Sequence, residues 1–245
     1  MSKLVVDKIA PSTYAADKLN LGGTGDSVVI LDSLNTNEIQ DNGGNSIFVS
    51  NGSGTLTSKN SALSGALNLI STQTASSSSS LSFTSNFDST YDVYIFKFVD
   101  IHPATDSVAF TFQVSTDGGS SYGVTTTSSY FRAYHTTDGG TSALGYLTGR
   151  DLNQSTDYIT IGFDLGNDND QSACGELYFF APSSTTYVKH YYARTSLQQD
   201  SDAAFDGYVA GYINNGTSAI NAINFKMSSG NIDAGLIKMY GLSKS

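Results

Sequence analysis

The sequence predicts an all-β protein, with an antiparallel β-sandwich or jelly-roll-like C-terminal domain that follows an extended N-terminal arm rich in Gly and Asn. Charged residues make up only 14% of the 245 residues, so Ser, Thr, Asn and Gly must supply the polar surface, and these residues favour strands and turns over helices. From Leu81 onward, apolar residues recur with period two and turn sequences separate the runs, which is typical of sheets packed face to face.

Residues 1–58 are predicted to form the extended arm. Short apolar runs such as Val28–Leu31 and Ile47–Val49 are separated by GGTGD, DNGGN and SNGSG, and Gly and Asn tolerate the positive φ angles of hairpin turns. The segment has few large apolar side chains. We therefore expect it to gain stability by lying on another protein or by intertwining with copies of itself; a tail without fixed structure is the alternative.

Residues 59–80 are predicted to form a short helix followed by a Ser-rich linker, with the domain boundary in the linker. Four apolar residues have the three- and four-residue spacing of one helix face, namely Leu63, Ala66, Leu67 and Ile70. The following segment, STQTASSSSS at residues 71–80, has no apolar anchor. It is interpreted as a polar linker or as the start of an edge strand.

Residues 81–245 are predicted to form the sandwich, with about eight to ten strands. The run DVYIFKFVDI is dense in β-branched and aromatic residues, and SVAFTFQV alternates before an Asp-Gly-Gly turn, which indicates a strand that enters a hairpin. The same pattern recurs in SSYFRAYHTTDGGTS, YITIGFDLGNDND, GELYFFAP, TYVKHYYARTS, AFDGYVAGYI, AINAINFKM and GLIKMYGLS.

Charge and composition argue against several classes of protein. Twelve Lys and Arg against 22 Asp and Glu give a net charge of −10 without a basic cluster, so nucleic acid is not expected as a partner. No segment approaches the ~20 apolar residues of a membrane span, and the first residues lack a signal-peptide core, so we expect cytoplasmic synthesis without membrane insertion. Cys174 is the only cysteine and has no basic neighbour, which predicts a buried, inert side chain.

No catalytic constellation is recognisable, and the chain is expected not to be an enzyme. The three histidines lie outside any informative motif, at His102, His135 and His190. The near-match to Gly-x-Ser-x-Gly around Ser53 is not followed by the strand-to-helix elbow of hydrolases. Glu38 and Glu176 are the only glutamates and lie in different regions, so no carboxylate pair stands out for glycoside hydrolysis.

The densest group of oxygen ligands lies in the sequence DLGNDND, where Asp164, Asn167, Asp168 and Asp170 are candidate ligands of Ca²⁺. Carboxylate and amide oxygens are the ligands that this cation prefers. The segment lacks the spacing of an EF-hand loop and its terminal bidentate Glu, and Asp and Asn are also common in solvated turns. No cofactor is therefore predicted, while calcium remains the alternative.

Abundant aromatic residues make a carbohydrate site the other possibility. Sugar rings stack on aromatic faces while Asp and Asn bind the hydroxyl groups. The candidate glycan-binding residues are Tyr130, Tyr134, Tyr187, Tyr191 and Tyr192. Strand alternation is expected to direct about half of them into the core, so core packing and subunit contacts are the competing interpretation.

Two stretches resemble structural proteins of tailed-bacteriophage virions, of the fibre, tail and head-decoration types. The opening KLVVDKIAP and the repeats that end in SIFVSNGSGTLTS resemble their virion-attaching N-terminal region, and GNIDAGLIKMYGLS resembles the closing strand of their β-sandwich domains. The resemblance implies a virion component, commonly a homotrimer, whose N-terminal region binds other virion proteins while the C-terminal domain projects outward. It also implies that no catalytic residues are needed.

We therefore expect a non-enzymatic structural protein that is synthesised in the host cytoplasm and located in the virion, as part of a tail fibre, tail or capsid decoration. The alternative is a module that attaches to a host-surface polysaccharide or another receptor. Exposed, coplanar Tyr side chains around a concave patch would favour glycan binding, whereas Tyr side chains buried in the sheets would favour a structural role alone.

Overall fold

The computed structural model describes residues 38–40, 45–53, 56–59, 66–214, 216 and 218–244. The chain divides into two compact units, residues 1–61 and 62–245. In these described ranges the secondary structure consists of strands and a single 3₁₀ turn at Thr148–Arg150, and no helix there has the length and apolarity to cross a membrane.

The N-terminal unit contains a three-stranded antiparallel sheet in the order β1-β2-β3. Its strands are β1 (Glu38–Gln40), β2 (Ser46–Ser50) and β3 (Leu56–Lys59). The predicted turn sequences DNGGN and SNGSG fall at the two connections, and Gly52 adopts a φ of 79°, which side chains with a Cβ rarely tolerate. The predicted hairpins of this region are thus confirmed, while Val28–Leu31 and the opening KLVVDKIAP lie outside the described residues.

The second unit is an antiparallel β-sandwich, as the sequence predicts. Its described strands are β4 (Leu67–Thr74), β5 (Leu81–Phe83), β6 (Val93–Pro103), β7 (Val108–Ser115), β8 (Thr126–Thr136), β9 (Ser142–Tyr146), β10 (Ile159–Leu165), β11 (Ala173–Phe180), β12 (Lys189–Gln198), β13 (Ala203–Ile213), β14 (Ala222–Met227) and β15 (Ile232–Leu242). Each strand-like run noted from residue 81 onward forms a strand or hairpin. The total exceeds the expected eight to ten because β4 and the short β5 also join the sheets.

Eight strands form the larger sheet, in the order β4-β15-β6-β11-β12-β13-β8-β9. The smaller sheet has the order β10-β7-β14-β5. The last strand, β15, pairs with both β4 and β6, so that Tyr240 lies opposite Leu69 on one side and Ile95 on the other. The strands β4 and β9 are consequently the two edges of the larger sheet.

The prediction of a short helix within residues 59–80 is wrong for the part of this segment that the structure describes, from residue 66 onward. Leu67–Thr74 form the edge strand β4, and its pairing with β15 supplies hydrogen bonds that the local apolar spacing does not anticipate. The alternative of an edge strand is correct for Ser71–Thr74, and Ser78 forms an isolated bridge with Ile232. The sandwich unit therefore includes part of the segment that was predicted to be a linker.

Aromatic residues form the centre of the core. Phe225 of β14 is fully buried, and five rings lie with their centroids 5.4–6.2 Å from its own, those of Phe83, Phe96, Phe98, Phe110 and Phe112. Two of these contacts, with Phe83 and Phe98, are edge-to-face, a geometry that ring quadrupoles favour. This cluster joins strands of both sheets and holds the two layers together.

Candidate functional site

The candidate site lies on the face of the eight-stranded sheet that is directed away from the smaller sheet, which we call the outer face. Burial alternates strictly along β12 over residues 189–197. Tyr191 points into the core, whereas Tyr192 and Arg194 point outward. The strand register extends this pattern sideways, because Arg194 lies opposite Glu176 on one side and Tyr208 on the other.

A shallow groove of about 960 Å³ crosses the outer face over strands β6, β11, β12, β13, β8 and β9. This volume is within the range of ligand-binding sites. Its floor is polar, and its apolar wall includes Leu144, whose exposed fraction is 77%. The concavity agrees with the twist of large sheets and with the irregular register of β11 between Ala173 and Gly175.

Two ion pairs occupy the floor of the groove. Arg194 donates from Nε to Oδ1 of Asp206 (3.0 Å) and from Nη2 to Oδ2 (2.8 Å), which is a bidentate pair. Lys97 Nζ donates to Oε2 of Glu176. These hydrogen bonds raise the pKa of Lys97 and of Arg194 above their usual values, so both cations stay charged at neutral pH and the four charges cancel.

Two coplanar aromatic pairs lie on the same face. The rings of Phe131 and Tyr208 are 4.7 Å apart with an interplanar angle of 5°, and those of Tyr178 and Tyr192 are 4.8 Å apart at 14°. Phe131 and Tyr192 are 44% and 45% exposed. The guanidinium carbon of Arg194 lies 5.1 Å from the centroid of the Tyr208 ring, so the first pair is continuous with the floor of the groove.

The five predicted glycan-binding tyrosines are not gathered in one place. Tyr130 and Tyr191 are buried in the core, and desolvation raises the pKa of Tyr191 to about 12. The prediction that these two residues bind a glycan is wrong, because an inward-facing ring cannot contact a sugar at the surface. Tyr134 is half-buried against the core, and Tyr187 is exposed in the loop before β12. Of the five, Tyr134 lines the groove, whereas Tyr192 is exposed on the outer face outside the groove lining.

The four predicted calcium ligands lie at the end of β10 and in the loop that follows it. Asp164 ends up beside Arg150, with 3.9 Å between Nη2 and Oδ1, and burial is the main cause that raises its pKa. Asn167 is half-buried, while Asp168 and Asp170 are exposed. Within the described ranges, no three acidic, histidine or cysteine side chains are arranged to hold a metal ion. The calcium site stays a prediction.

The prediction that Cys174 is buried is wrong. On β11 it is Ala173 that occupies the inward position, so the Cys174 side chain is exposed on the outer face and lines the groove. Its Sγ lies 3.6 Å from Oδ1 of Asp100. Side-chain alternation along a strand would allow Cys174 to face either the core or the solvent. Only the register of β11 with β6 and β12 places it on the solvent side.

The histidines lie on three different strands. Nδ1 of His102 is 2.7 Å from the carbonyl oxygen of Gln171. This hydrogen bond joins β6 to the loop between β10 and β11. His135 lines the groove, and His190 lies next to Tyr212 with ring centroids 6.2 Å apart. That the chain has no catalytic activity stays a prediction.

No known protein family and no curated protein matches the chain. The outer face thus combines a shallow groove, which has ion-paired hydrogen-bonding groups and the exposed Leu144 in its lining, with two flat aromatic pairs beside it.

Proposed function

We propose that the chain is a non-enzymatic structural component of a phage virion, in which the N-terminal region attaches to the particle and the sandwich projects outward as a fibre, tail or capsid-decoration module. The observation that carries this proposal is the division of the chain into two compact units, residues 1–61 and 62–245. Only the second has an extensive aromatic core among the described residues. Such a chain can be attached through one unit while the other is displayed.

Self-association is part of the proposal, in the form of a homotrimer. Strand β9 is an edge of the larger sheet, and its sequence SALGY carries no charge. Leu144 and Tyr146 in this strand are 77% and 60% exposed. Uncharged edges with unpaired backbone groups favour pairing with another chain, and a neighbouring subunit would cover Tyr146, which is not part of the groove lining.

The attachment is tested by comparing the full chain with residues 62–245 alone. We expect the shorter form to melt cooperatively, because it holds the aromatic core, but to be absent from particles. Both forms would carry the same C-terminal tag, be supplied during infection, and be quantified in gradient-purified virions by immunoblot. Incorporation of the shorter form at the level of the full chain would contradict attachment through the N-terminal region.

Self-association is tested by light scattering on the same two forms. A mass of three chains for both is expected if the sandwich provides the contacts. A monomeric mass for both forms at micromolar concentration would refute the trimer. Any symmetric arrangement of the chains would then be imposed by the particle to which they bind.

A second candidate function is recognition of a host-surface glycan. The specific observation in its favour is the pair of coplanar aromatic contacts beside a concave groove on the outer face. Exposed aromatic surface combined with a few fixed polar groups is typical of ligand sites. The test is binding of the tagged full chain to an array of oligosaccharides; retention of a related set is expected, and absence of binding to every class would refute this function.

A further inference from the structure

We infer that the groove on the outer face binds a neutral oligosaccharide; this inference rests on the second candidate function above and assigns it a site and a ligand class. The groove crosses six neighbouring strands, from Lys97 on β6 to Leu144 on β9. With ~4.8 Å between neighbouring strands, it is roughly 24 Å wide. A ligand that fills it has several linked rings rather than one.

The floor of the groove offers hydrogen-bond donors and acceptors side by side. A guanidinium has five N–H donors, and Arg194 uses two of them on Asp206. A carboxylate has about four acceptor positions, and Asp206 accepts only these two bonds and one from the hydroxyl of Tyr208 within the described part of the chain. Two adjacent hydroxyl groups of a sugar can accept from such an arginine and donate to its aspartate together.

These polar groups are held in place before a ligand arrives. Arg194 and Asp206 are on paired strands and make a bidentate contact, and Lys97 is fixed in the same way by Glu176 on the neighbouring strand. Side chains that are already ordered lose less conformational entropy on binding. The site therefore resembles a rigid surface rather than a flexible loop.

The charge of the groove selects against an anionic polymer. The two cations and two carboxylates on its floor sum to zero, and the whole chain carries a net charge of −10. A sulfated or phosphorylated ligand would need an excess of cations to offset the repulsion and the loss of hydration. An uncharged ligand that is rich in hydroxyl groups incurs neither cost.

Exposed apolar side chains are the further feature of this face that suits a sugar. Sugar rings have C–H faces that pack on aromatic and aliphatic side chains while their hydroxyl groups bond to polar neighbours. Phe131 and Tyr208 lie in the same cross-strand row as Arg194, and the Leu144 side chain stands exposed at the wall. The groove and the aromatic pair beside it thus present apolar and hydrogen-bonding surface to the same ligand.

The test uses an array of neutral hexose and deoxyhexose oligosaccharides together with sialylated, sulfated and phosphorylated ones. The proteins are the full chain, the variant Asp206→Asn, and the control Asp92→Asn. Asp92 forms an exposed ion pair with Lys244 (3.0 Å) outside the groove, so the control removes a carboxylate of the same kind. We expect neutral oligosaccharides to bind, Asp206→Asn to weaken binding about tenfold or more, and Asp92→Asn to leave it unchanged.

An independent readout needs no substitution, because Cys174 is the only cysteine and lines the groove. The bound neutral oligosaccharide is expected to slow alkylation of Cys174 by a maleimide in the full chain. Binding of anionic glycans alone would overturn the neutral ligand class. Glycan binding that is unaffected by Asp206→Asn and does not slow the alkylation of Cys174 would overturn the groove as the site while leaving glycan recognition intact. Absence of all binding would overturn both.

Discussion

Replacement of Phe225 by Ala is the most direct test of the view that one aromatic cluster holds the two sheets together. Phe225 is fully buried in β14 of the smaller sheet. Its ring lies 5.4 Å from those of Phe96 and Phe98 on β6 of the larger sheet. The substitution removes the central ring and leaves a cavity that spans both layers.

The size of the effect follows from this packing. Buried Phe→Ala substitutions cost about 3–5 kcal/mol, and the five neighbouring rings around Phe225 place it at the upper end, about 4–5 kcal/mol. The control Phe131→Ala removes a ring that is 44% exposed and contacts Tyr208. Its cost is expected to be about 1 kcal/mol or less, as for a cross-strand surface pair.

Both variants would be compared with the wild-type chain in urea denaturation followed by circular dichroism. The difference in unfolding free energy corresponds to a melting temperature of Phe225→Ala about 8–20 °C below that of the wild type, since a unit of this size loses about 2–4 °C per kcal/mol. If Phe225→Ala costs no more than Phe131→Ala, the cluster does not hold the sheets together.

Three further predictions concern other sites. Hydrogen bonds from two nearby serines lower the pKa of Asp117 to about 2 from its ordinary 3.8. The resulting stabilisation is present above pH ~4 and is lost as the pH falls through about 2. The melting temperature of Asp117→Asn should therefore lie below that of the wild type at pH 6, and the difference should shrink as the pH falls through about 2. A Cβ at Gly175 would lie 2.3 Å from the backbone oxygen of Arg194, whereas one at Gly145 would have no neighbour within 4 Å. In urea denaturation, Gly175→Ala should lower the free energy of unfolding by about 1–3 kcal/mol and Gly145→Ala by much less. Equal losses would contradict the close approach of the two strands at Gly175. Chelator should leave the melting temperature unchanged, and a fall of several degrees would support calcium at residues 164–170.

Most of the sandwich could be predicted from local sequence, because one buried face imposes period two on a strand. Residues 189–197 show this plainly, with burial that alternates at every position. The error at Leu67–Ile70 has a different origin, since the three- and four-residue spacing of apolar residues favours a helix locally, and pairing with a distant strand overrides that preference. The partner that decides in favour of a strand is β15, more than 150 residues later in the chain.

The candidate site was less accessible to sequence reasoning because it depends on register. Adjacent Tyr191 and Tyr192 must point to opposite faces, but nothing local says which one is buried. The pairs Tyr178–Tyr192 and Arg194–Asp206 form only because β11, β12 and β13 align as they do. Aromatic and charged residues at outward positions of consecutive strands are the signal that could have suggested this surface.

The position of β15 has a consequence for how the molecule is made. This strand, Ile232–Leu242, pairs with β4 and β6, so the larger sheet is complete only after these residues have been synthesised. Pairing over such sequence distances makes folding slow. Until it occurs, β4 lacks its partner and one side of β6 is open, and unpaired strands are sites where nascent chains associate wrongly. Removal of β15, residues 232–242, should therefore yield aggregates rather than a smaller sandwich.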